Sequence, residues 1–348
     1  MRSLASKWTR RLVRATAIAY PVALLAIWVS MRFIGEAWWA STAALYLPYA
    51  LFGLPLPFLV LATWLKGMRR LAWAQAVSLF LLVFPIMGFV LPWPSFADAN
   101  APKIRIVSLN VDSGRAGADK IVDAIAGYSP DVVLLQETAA NEAFVPALRA
   151  RFPTVSTSGQ FALATRFPLV RVMEPEKLPY YGTVRSARFI EYVLDTPLGT
   201  IPFFSAHPIS PREGLVSLRG EGLRREIGTG RLLEGTRAHA LEINTGLRTA
   251  QVEALAQAAS LEPGPVVVAG DTNLPSPSRL LHRALGEYED AFPKAGRGFG
   301  YTFPTNKWRP WMRIDRILAR GPVRFVHFEI GRPVVSDHHF IVADLQAR

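Results

Sequence analysis

Apolar residues are concentrated in the first hundred positions, where three long runs lack any charged residue. These runs lie at 15–31, 40–65 and 71–96. A membrane-spanning helix needs about 20 mostly apolar residues, and prolines are tolerated where neighbouring helices satisfy the freed backbone groups. The pattern predicts three transmembrane helices, at about 15–34, 40–65 and 71–94. A cleaved signal peptide in place of the first helix stays open as an alternative.

Positively charged residues flank these runs unevenly. Five Lys and Arg residues precede the first run and three fill the connection 66–70, whereas the first connection contains only Arg32 and Glu36. The positive-inside rule then places the N-terminus and the second connection in the cytoplasm. With three spans, everything after the third run lies on the outer or periplasmic side of a bacterial inner or plasma membrane.

The pattern changes after a short polar linker at 95–103, which predicts a membrane anchor at 1–98 and a globular domain at 99–348. Short alternating or continuous apolar runs such as KIRIVSLNV, DVVLLQE and PVVVAGD predict strands. Helical spacing in ADKIVDAIAGY, NEAFVPALRARF and TGLRTAQVEALAQAAS predicts helices, and a hairpin is expected to turn at 197–199. Strands interspersed with helices and hairpins indicate a layered α+β domain.

The stretch 212–245 differs from its surroundings because it is rich in Gly, Arg and Glu and has no clear apolar period. We predict a long loop there. Two interpretations stay open, a solvated insertion and a lid over a substrate site.

Charge and cysteine content narrow the function classes slightly. The chain has a formal net charge of +12. Nine of its 39 Lys and Arg and two of its 27 acidic residues lie in 1–99, so this part contributes +7 and the remainder +5. The excess is therefore mainly a topology signal, and the mildly basic remainder is weak support for nucleic-acid binding. The absence of cysteine excludes disulfides, thiolate metal sites and a cysteine nucleophile.

Polar side chains follow or begin several of the predicted strands. They are Asn110, Glu137, His207, Asp271, Asn273, Asp315, Asp337 and His338. Because burying a carboxylate without a partner is costly, several such positions suggest strand ends that converge on one pocket. Oxygen ligands without thiolates suit Mg²⁺ or Mn²⁺ better than structural zinc. A hard cation held by carboxylates is typical of phosphoryl chemistry, in which nearby groups position and deprotonate water.

Seven short motifs occur in a fixed order between 103 and 345, namely SLNV, LLQET, ATRFP, SAHP, GDTN, RIDRIL and SDHHF. This ordered set resembles the endonuclease/exonuclease/phosphatase superfamily, which includes deoxyribonucleases and neutral sphingomyelinases. The resemblance implies a four-layer α/β sandwich, with two packed mixed sheets flanked by helices and the site at one edge. In this chain a three-helix transmembrane anchor would precede it.

The resemblance also implies which residues hold the metal. Asn110 and Glu137 would be ligands of Mg²⁺ or Mn²⁺. Asp337 adjoins His338 at the predicted start of the last strand. Since neighbouring residues on a strand point to opposite faces, we assign Asp337 to the metal or its loop rather than to the ring of His338.

The catalytic roles implied by the resemblance fall on five residues. Asp271 would orient or activate the attacking water, and Asn273 would support it and contact phosphate. His338 would polarise the phosphate or take a proton, while Asp315 holds it in its working tautomer. His207 would be a phosphate ligand or the acid for the leaving oxygen.

These expectations combine into a membrane-anchored, divalent-metal-dependent phosphoesterase that hydrolyses a phosphodiester with activated water. The alternatives are a membrane-tethered endonuclease or exonuclease acting on DNA or RNA, and a non-catalytic binding domain on the same fold. The expected partners are the lipid bilayer and a phosphodiester substrate, and no obligate protein partner is inferred. Since the linker 95–103 reaches about 30 Å at most, we favour a lipid-linked or small phosphodiester slightly over nucleic acid.

Overall fold

The computed structural model describes residues 2–91, 97–98, 100–138, 142–181, 184–217 and 236–348. The chain divides into two units. The first comprises Met1–Val90 with Ser276–Arg279, and the second comprises Leu91–Pro275 with Leu280–Arg348.

The first unit is entirely helical within its described residues up to position 86, apart from short turns. Its α-helices are α1 (Arg2–Val29), α2 (Trp39–Leu45), α3 (Pro55–Leu65) and α4 (Ala72–Leu81). π-Helical turns at Ser30–Ile34 and Leu82–Ile86 extend α1 and α4, and a 3-10 helix at Tyr49–Gly53 precedes α3.

Two helical stretches of this unit, Lys7–Ala37 and Arg69–Ile86, are long and apolar enough to cross a membrane. The predicted second span is instead a pair, Trp39–Leu45 and Tyr49–Leu65, bent by 98°. Pro48 lies at the break, and proline disfavours the helical conformation in the residue before it. The described part of this unit therefore has two candidate spans, or three if the bent pair counts as one.

The outer surface of the first unit carries many large apolar side chains, unlike that of a typical water-soluble protein. Large apolar residues face outward, for example Phe58 and Trp64, which are 72% and 65% exposed. Some polar residues lie inside, and the hydroxyls of Thr63 and Ser78 donate to carbonyls one turn earlier. Lipid-facing helices have this pattern because hydrocarbon tails solvate apolar side chains and polar groups must find partners within the bundle.

Strands dominate the second unit and form two six-stranded sheets. Sheet one has the order β13-β14-β1-β2-β4-β3, with β1 (Lys103–Asn110), β2 (Val132–Gln136), β3 (Thr154–Ser158), β4 (Phe161–Thr165), β13 (Val323–Ile330) and β14 (Ile341–Ala347). Sheet two has the order β11-β12-β10-β9-β8-β5, with β5 (Leu169–Met173), β8 (Phe189–Thr196), β9 (Gly199–Ala206), β10 (Val266–Asp271), β11 (Glu289–Asp290) and β12 (Asp315–Arg320). A separate small hairpin pairs β6 (Leu178–Tyr181) with β7 (Val184–Ser186).

Helices cover the outer face of each sheet. The α-helices in the described residues of this unit are α5 (Ala118–Ala126), α6 (Phe144–Arg149), α7 (Arg212–Ser217), α8 (Thr236–Leu261), α9 (Arg279–Leu285) and α10 (Ala291–Ala295). Apolar residues of α5 and α6 form one buried core with sheet one, and those of α8 and α9 form another with sheet two. The inner faces of the sheets meet, and Gln136 of β2 donates a 3.1 Å hydrogen bond to Ser205 of β9. The predicted four-layer α/β sandwich is confirmed.

The stretch 212–245 is more helical than predicted. Its described ends belong to α7 and to the start of α8, which begins nine residues before the predicted helix at 245. Leu241, Asn244 and Arg248 form a buried face of α8 that mixes apolar and polar groups. This mixture explains why no apolar period is visible in the sequence. The middle of the predicted loop, 218–235, lies outside the described residues.

Candidate active site

Strand direction brings four of the predicted residues to one edge of the sandwich. β1 and β2 run parallel in sheet one, so Asn110 at the end of β1 and Glu137 just after β2 lie side by side. β9 and β10 run parallel in sheet two, so His207 just after β9 and Asp271 at the end of β10 lie side by side. The distances confirm that the two pairs meet, since His207 Nε2 is 3.5 Å from Glu137 Oε1 and 3.7 Å from Asp271 Oδ2.

Antiparallel strands bring three more of the predicted residues to the same edge from the opposite direction. β12 is antiparallel to β10, and its first residue, Asp315, pairs with Asp271 in register. β14 is antiparallel to β1, so the segment just before it, which contains His338, reaches the end of β1. Ser336 in this segment donates a 2.7 Å hydrogen bond to the carbonyl of Asn110 and ties the two ends together.

The environment of Asp337 differs from the one we predicted. β14 begins only at Ile341, so Asp337 and His338 lie in a bend where strand alternation does not apply. The Asp337 carboxylate approaches His338 Nε2 to 3.9 Å and Arg212 Nη2 to 3.9 Å. We expected Asp337 and His338 to point to opposite faces of a strand, but the Asp337 carboxylate lies beside the His338 ring.

A buried carboxylate–imidazole–carboxylate chain runs through the site. His338 Nδ1 lies 2.9 Å and 3.1 Å from the two carboxylate oxygens of Asp315. His338 Nε2 lies 3.7 Å from Asp271 Oδ2. Burial by itself lowers the pKa of His338, but the Asp315 and Asp271 carboxylates outweigh it and raise this pKa to about 10. The ring is therefore protonated at neutral pH, with Nδ1 donating to Asp315 and Nε2 directed toward Asp271.

Asp271 is buried, and its neighbours shift its pKa in opposite directions. Burial, assisted by the neighbouring Asp315 charge, raises the pKa of Asp271 to about 7 against the opposing effect of His338. The backbone N–H of Asn273 donates to Asp271 Oδ1 at 2.9 Å, and the side-chain amide of Asn110 donates to Oδ2 at 3.2 Å. Asn273 also donates from its side chain to the carbonyl of Pro208 at 3.0 Å, which links the loops after β9 and β10.

His207 differs from His338 in charge and in tautomer. The side-chain N–H₂ of Gln160 donates to the carbonyl of Ala187 at 3.2 Å, which turns its oxygen toward His207 Nδ1 at 2.6 Å. The proton therefore lies on Nδ1, and the Nε2 lone pair faces Glu137 and Asp271. Burial, with help from the charges of Arg188 and His338, lowers the pKa of His207 to about 3.

Oxygen donors converge where the resemblance predicts a metal. The side-chain N–H₂ of Asn110 donates to Glu137 Oε1 at 3.0 Å and to Asp271 Oδ2 at 3.2 Å, while Asn110 Oδ1 accepts from the backbone N–H of Asp112 at 3.1 Å. Two carboxylates meeting at one point favour a cation. The carboxylate oxygens of Glu137 and Asp271 fit a hard cation. Asp271, Asp315 and His338 also present ligand atoms within 4.8 Å of one another, but Asp315 already binds the imidazole through two short contacts.

Comparison with known proteins assigns the family. The family model described as "Endonuclease/Exonuclease/phosphatase family" matches residues 107–338, which is more than half of the chain. The chain belongs to the endonuclease/exonuclease/phosphatase family. Its fold is therefore that of hydrolytic phosphoesterases and nucleases, which typically depend on a divalent metal. No curated protein matches the chain.

Solved structures share the fold at low sequence identity. An endonuclease/exonuclease/phosphatase from Beutenbergia cavernae DSM 12333 has a TM-score of 0.50 and 16% identity, covering 70% of this chain and 72% of that one. A functionally unknown conserved protein from Enterococcus faecalis V583 has a TM-score of 0.51 and 12% identity, covering 70% of this chain and 100% of that one. D. rerio TDP2 complexed with single strand DNA product has a TM-score of 0.48 and 21% identity, covering 72% and 100%.

Backbone conformation at this endonuclease/exonuclease/phosphatase site is unusual in three places. Glu137 and Asn273 have φ values of 63° and 50°, in the left-handed region that non-glycine residues rarely adopt. Such conformations cost about 1–3 kcal/mol and cluster at functional sites. Gly270, the glycine of GDTN, has φ 143°, and a Cβ there would lie 2.1 Å from the Ala206 carbonyl oxygen. Only glycine allows β10 to approach β9 closely enough to align Asp271 with His207.

A cavity of about 670 Å³ opens beside Glu137 and His207. Arg188 lies in its wall, with only 5% of the residue exposed and the guanidinium 3.6 Å from the centre of the Tyr180 ring. Burial lowers the pKa of Arg188, and its Nε has no hydrogen-bond partner among the described residues. Lys177 and Arg185 add two further cations to the lining, which also contains the carboxylates of Glu137 and Glu174. The buried guanidinium of Arg188 is a donor that could bind an anionic or polar group of a ligand.

Sequence reasoning missed Gln160 and Arg188, although both contact His207. Each immediately precedes a strand, β4 or β8, that is antiparallel to a strand ending at the site. The sequence around Gln160 and Arg188 shows no recognisable pattern of polar residues. Knowledge of the strand pairing would have identified both, since an antiparallel strand begins where its neighbour ends.

Proposed function

We propose that the chain is a membrane-anchored, divalent-metal-dependent phosphoesterase that hydrolyses a phosphodiester with activated water. The supporting observation is the position of Asp271. It is a buried carboxylate with a pKa raised to about 7, 3.7 Å from His338 and hydrogen bonded to Asn110. A general base is most effective when its pKa lies near the working pH.

In the proposed reaction Asp271 takes a proton from water as the water oxygen bonds to phosphorus. The bond between phosphorus and the leaving oxygen breaks, and the leaving oxygen takes a proton from solvent. Protonated His338, held by Asp315, donates a hydrogen bond to a phosphoryl oxygen as negative charge develops there. His207 is neutral because its pKa is near 3, so it serves as an acceptor that orients water or substrate rather than as the acid for the leaving oxygen.

We propose that Asn110 and Glu137 hold the metal, with Asp337 contributing from the loop before β14. A bound Mg²⁺ or Mn²⁺ would supply positive charge to the phosphoryl oxygens. Oxygen donors do not distinguish strongly between these two ions, so both should support turnover.

The proposed substrate is a lipid-linked or small phosphodiester. The short linker at 95–103 limits how far the domain can travel from a bilayer. The cavity lined by Lys177, Arg185 and Arg188 offers cations to an additional anionic or polar group of such a substrate. Cleavage of DNA or RNA by a membrane-tethered nuclease is the competing activity, and the assay below separates the two.

Metal dependence tests the catalytic proposal directly. The full chain in detergent micelles is assayed on bis(4-nitrophenyl) phosphate, phospholipid head-group diesters and plasmid DNA, with chelator and then with added Mg²⁺ or Mn²⁺. We expect chelator to abolish hydrolysis and either ion to restore it. Glu137→Gln removes a charged ligand and should raise the metal concentration needed for half-maximal rate, whereas Glu142→Gln changes an exposed carboxylate and should not.

Two outcomes would contradict parts of this proposal. Unchanged metal dependence in Glu137→Gln removes Glu137 from the metal site. Robust cleavage of plasmid DNA with no activity on head-group diesters replaces the lipid substrate with nucleic acid. A steep loss of DNA cleavage with rising salt would support that second result, because duplex binding through several phosphates releases counterions.

We also propose that the first unit spans the membrane with the N-terminus in the cytoplasm and the second unit outside. A C-terminal reporter that is active only outside the cytoplasm should therefore be active when fused after Arg348. The positive charges before 15 and at 66–70 are the physical reason. Activity of a cytoplasm-only reporter at the same position, with the outside reporter silent, would invert the topology.

A further inference from the structure

Two arginine-rich segments of the first unit, separated by more than fifty residues, line one cavity of about 590 Å³. Its lining consists of Arg10, Arg11, Arg14, Gly67, Met68, Arg69, Arg70 and Leu71. We refer to this as the arginine cavity. Three of its arginines come from α1, and two come from the turn before α4. The starts of α1 and α4 therefore lie at the same end of the helical unit.

Charge in the arginine cavity is unbalanced. The lining contains five guanidinium groups and no carboxylate. Among the described residues none of these arginines forms an ion pair, and the only acidic residue in 2–90 is Glu36. Glu36 lies 22 residues beyond Arg14 along the chain, a distance of about 30 Å at the helical rise of ~1.5 Å per residue. Like charges gathered around one space repel, so an anion bound there would be attracted by all five.

The position of the cavity indicates where that anion comes from. Each candidate span begins next to arginines of the cavity, since one starts at Lys7 and the other at Arg69. When these helices cross a bilayer, their charged ends lie at the depth of the lipid phosphates. Trp8, 66% exposed and 5.9 Å from the Arg11 guanidinium, is the aromatic residue typical of that depth.

The chemistry of the lining matches a phospholipid head group. Guanidinium groups bind phosphate oxygens through two parallel hydrogen bonds, which a lysine ammonium cannot reproduce. Met68 and Leu71 add apolar surface next to these donors, as needed beside the glycerol and first methylenes of a lipid. Five cations exceed the charge of one phosphodiester, so a lipid with two phosphate charges complements the site better than a singly charged one.

We propose that the arginine cavity is a binding site for the phosphates of an anionic phospholipid, with a doubly charged head group preferred. This site is separate from the phosphoesterase site, and the proposal rests only on the first unit spanning a membrane. The bound lipid joins the N-terminal part of α1 to the turn before α4 by neutralising arginines from both. No turnover of this lipid is implied.

The test uses the full chain purified in detergent and titrated with diphosphatidylglycerol, which carries two phosphates, with bound lipid counted by native mass spectrometry. We expect saturable binding of one molecule, and weaker binding of singly charged phosphatidylglycerol. The triple variant Arg11→Gln, Arg69→Gln, Arg70→Gln should weaken binding about 100-fold, since each arginine near lipid phosphate is worth about 5-fold. The Arg→Lys triple at the same positions keeps the charge and should lose only part of this affinity.

Arg32→Gln is the matched control because it removes one arginine from the same unit outside the cavity lining. It should bind lipid as the unmodified chain does. Equal binding by the Gln triple and the unmodified chain would overturn the proposal and indicate an unspecific lipid shell. Full competition by millimolar inorganic phosphate would also overturn it, in favour of a soluble anion. Extraction from membranes by alkaline carbonate tests the membrane anchor, and the hydrolysis assay tests the phosphoesterase site. Failure of either proposal can therefore be told apart from failure of the lipid site.

Discussion

Asp271→Asn should lower turnover by about 10²–10⁴-fold, the usual contribution of a positioned general base. The substitution keeps the shape of the side chain and removes its capacity to take a proton from water. Asp271 has 2% of its surface exposed and contacts Asn110, Asn273 and His338, so no other described carboxylate occupies its place. The measurement is kcat on the substrate that responds best in the metal-dependence assay, with saturating Mg²⁺.

The matched control is Asp195→Asn, which makes the same chemical change at an exposed position near the end of β8. Its kcat should equal that of the unmodified chain. Thermal unfolding in chelator should show that Asp271→Asn remains folded, because the change removes a buried charge rather than a packing group. A folded Asp271→Asn variant with nearly full kcat would rule out Asp271 as the base.

His338→Ala should cost a comparable factor, about 10²–10⁴-fold in kcat, because it removes the protonated donor beside the reaction centre. Asp315→Asn should also slow the reaction. It leaves the ring in place but removes the carboxylate that accepts from Nδ1 and raises the pKa of His338. His239→Ala, at an exposed position on α8, is the control for loss of an imidazole and should retain activity.

The double variant distinguishes a shared role from separate roles. If Asp315 acts through His338, adding Asp315→Asn to His338→Ala should cause no further loss, since residues that act as a unit are strongly non-additive. Fully additive losses would mean that Asp315 acts elsewhere, for example on the metal, for which its ligand atoms lie close enough to Asp271 and His338.

A buried ion-pair cluster supports the start of β12, which carries Asp315. Asp290 accepts from Arg313 at 2.7 Å and from Arg316 at 2.5 Å, on either side of Asp315. Burial alone would raise the pKa of Asp290, but the two guanidinium groups outweigh it and lower this pKa. Removing one partner of such a buried pair typically costs about 3–5 kcal/mol. The position of Asp315 therefore depends on this charge cluster as well as on its contact with His338.

Much of the layered fold was readable from local patterns. The strands that hold Asn110, Glu137 and Asp271 are short runs of apolar residues, and such runs form buried strands because each side chain has a sheet neighbour. The hairpin between β8 and β9 turns at the predicted position. Two predictions, the start of α8 and the strand position of Asp337, were wrong because tertiary contacts rather than the local sequence pattern decide them. Helix α8 begins in a segment whose buried face is partly polar, and Asp337 lies in a bend rather than on a strand.

The amino-acid sequence by itself determined the apolar segments and the identity of the polar residues at the strand ends, which follow from hydrophobic periodicity. The four-layer sandwich was implied by the resemblance of the ordered motifs to a known family. Only the tertiary structure decided which of those residues touch. The opposite charge states of His338 and His207 depend on carboxylates and amides contributed by other strands. Arg188, Gln160 and the arginine cavity were likewise invisible in sequence. Each arises from groups brought together by strand or helix pairing, and electrostatic interactions depend on distance in space rather than separation along the chain.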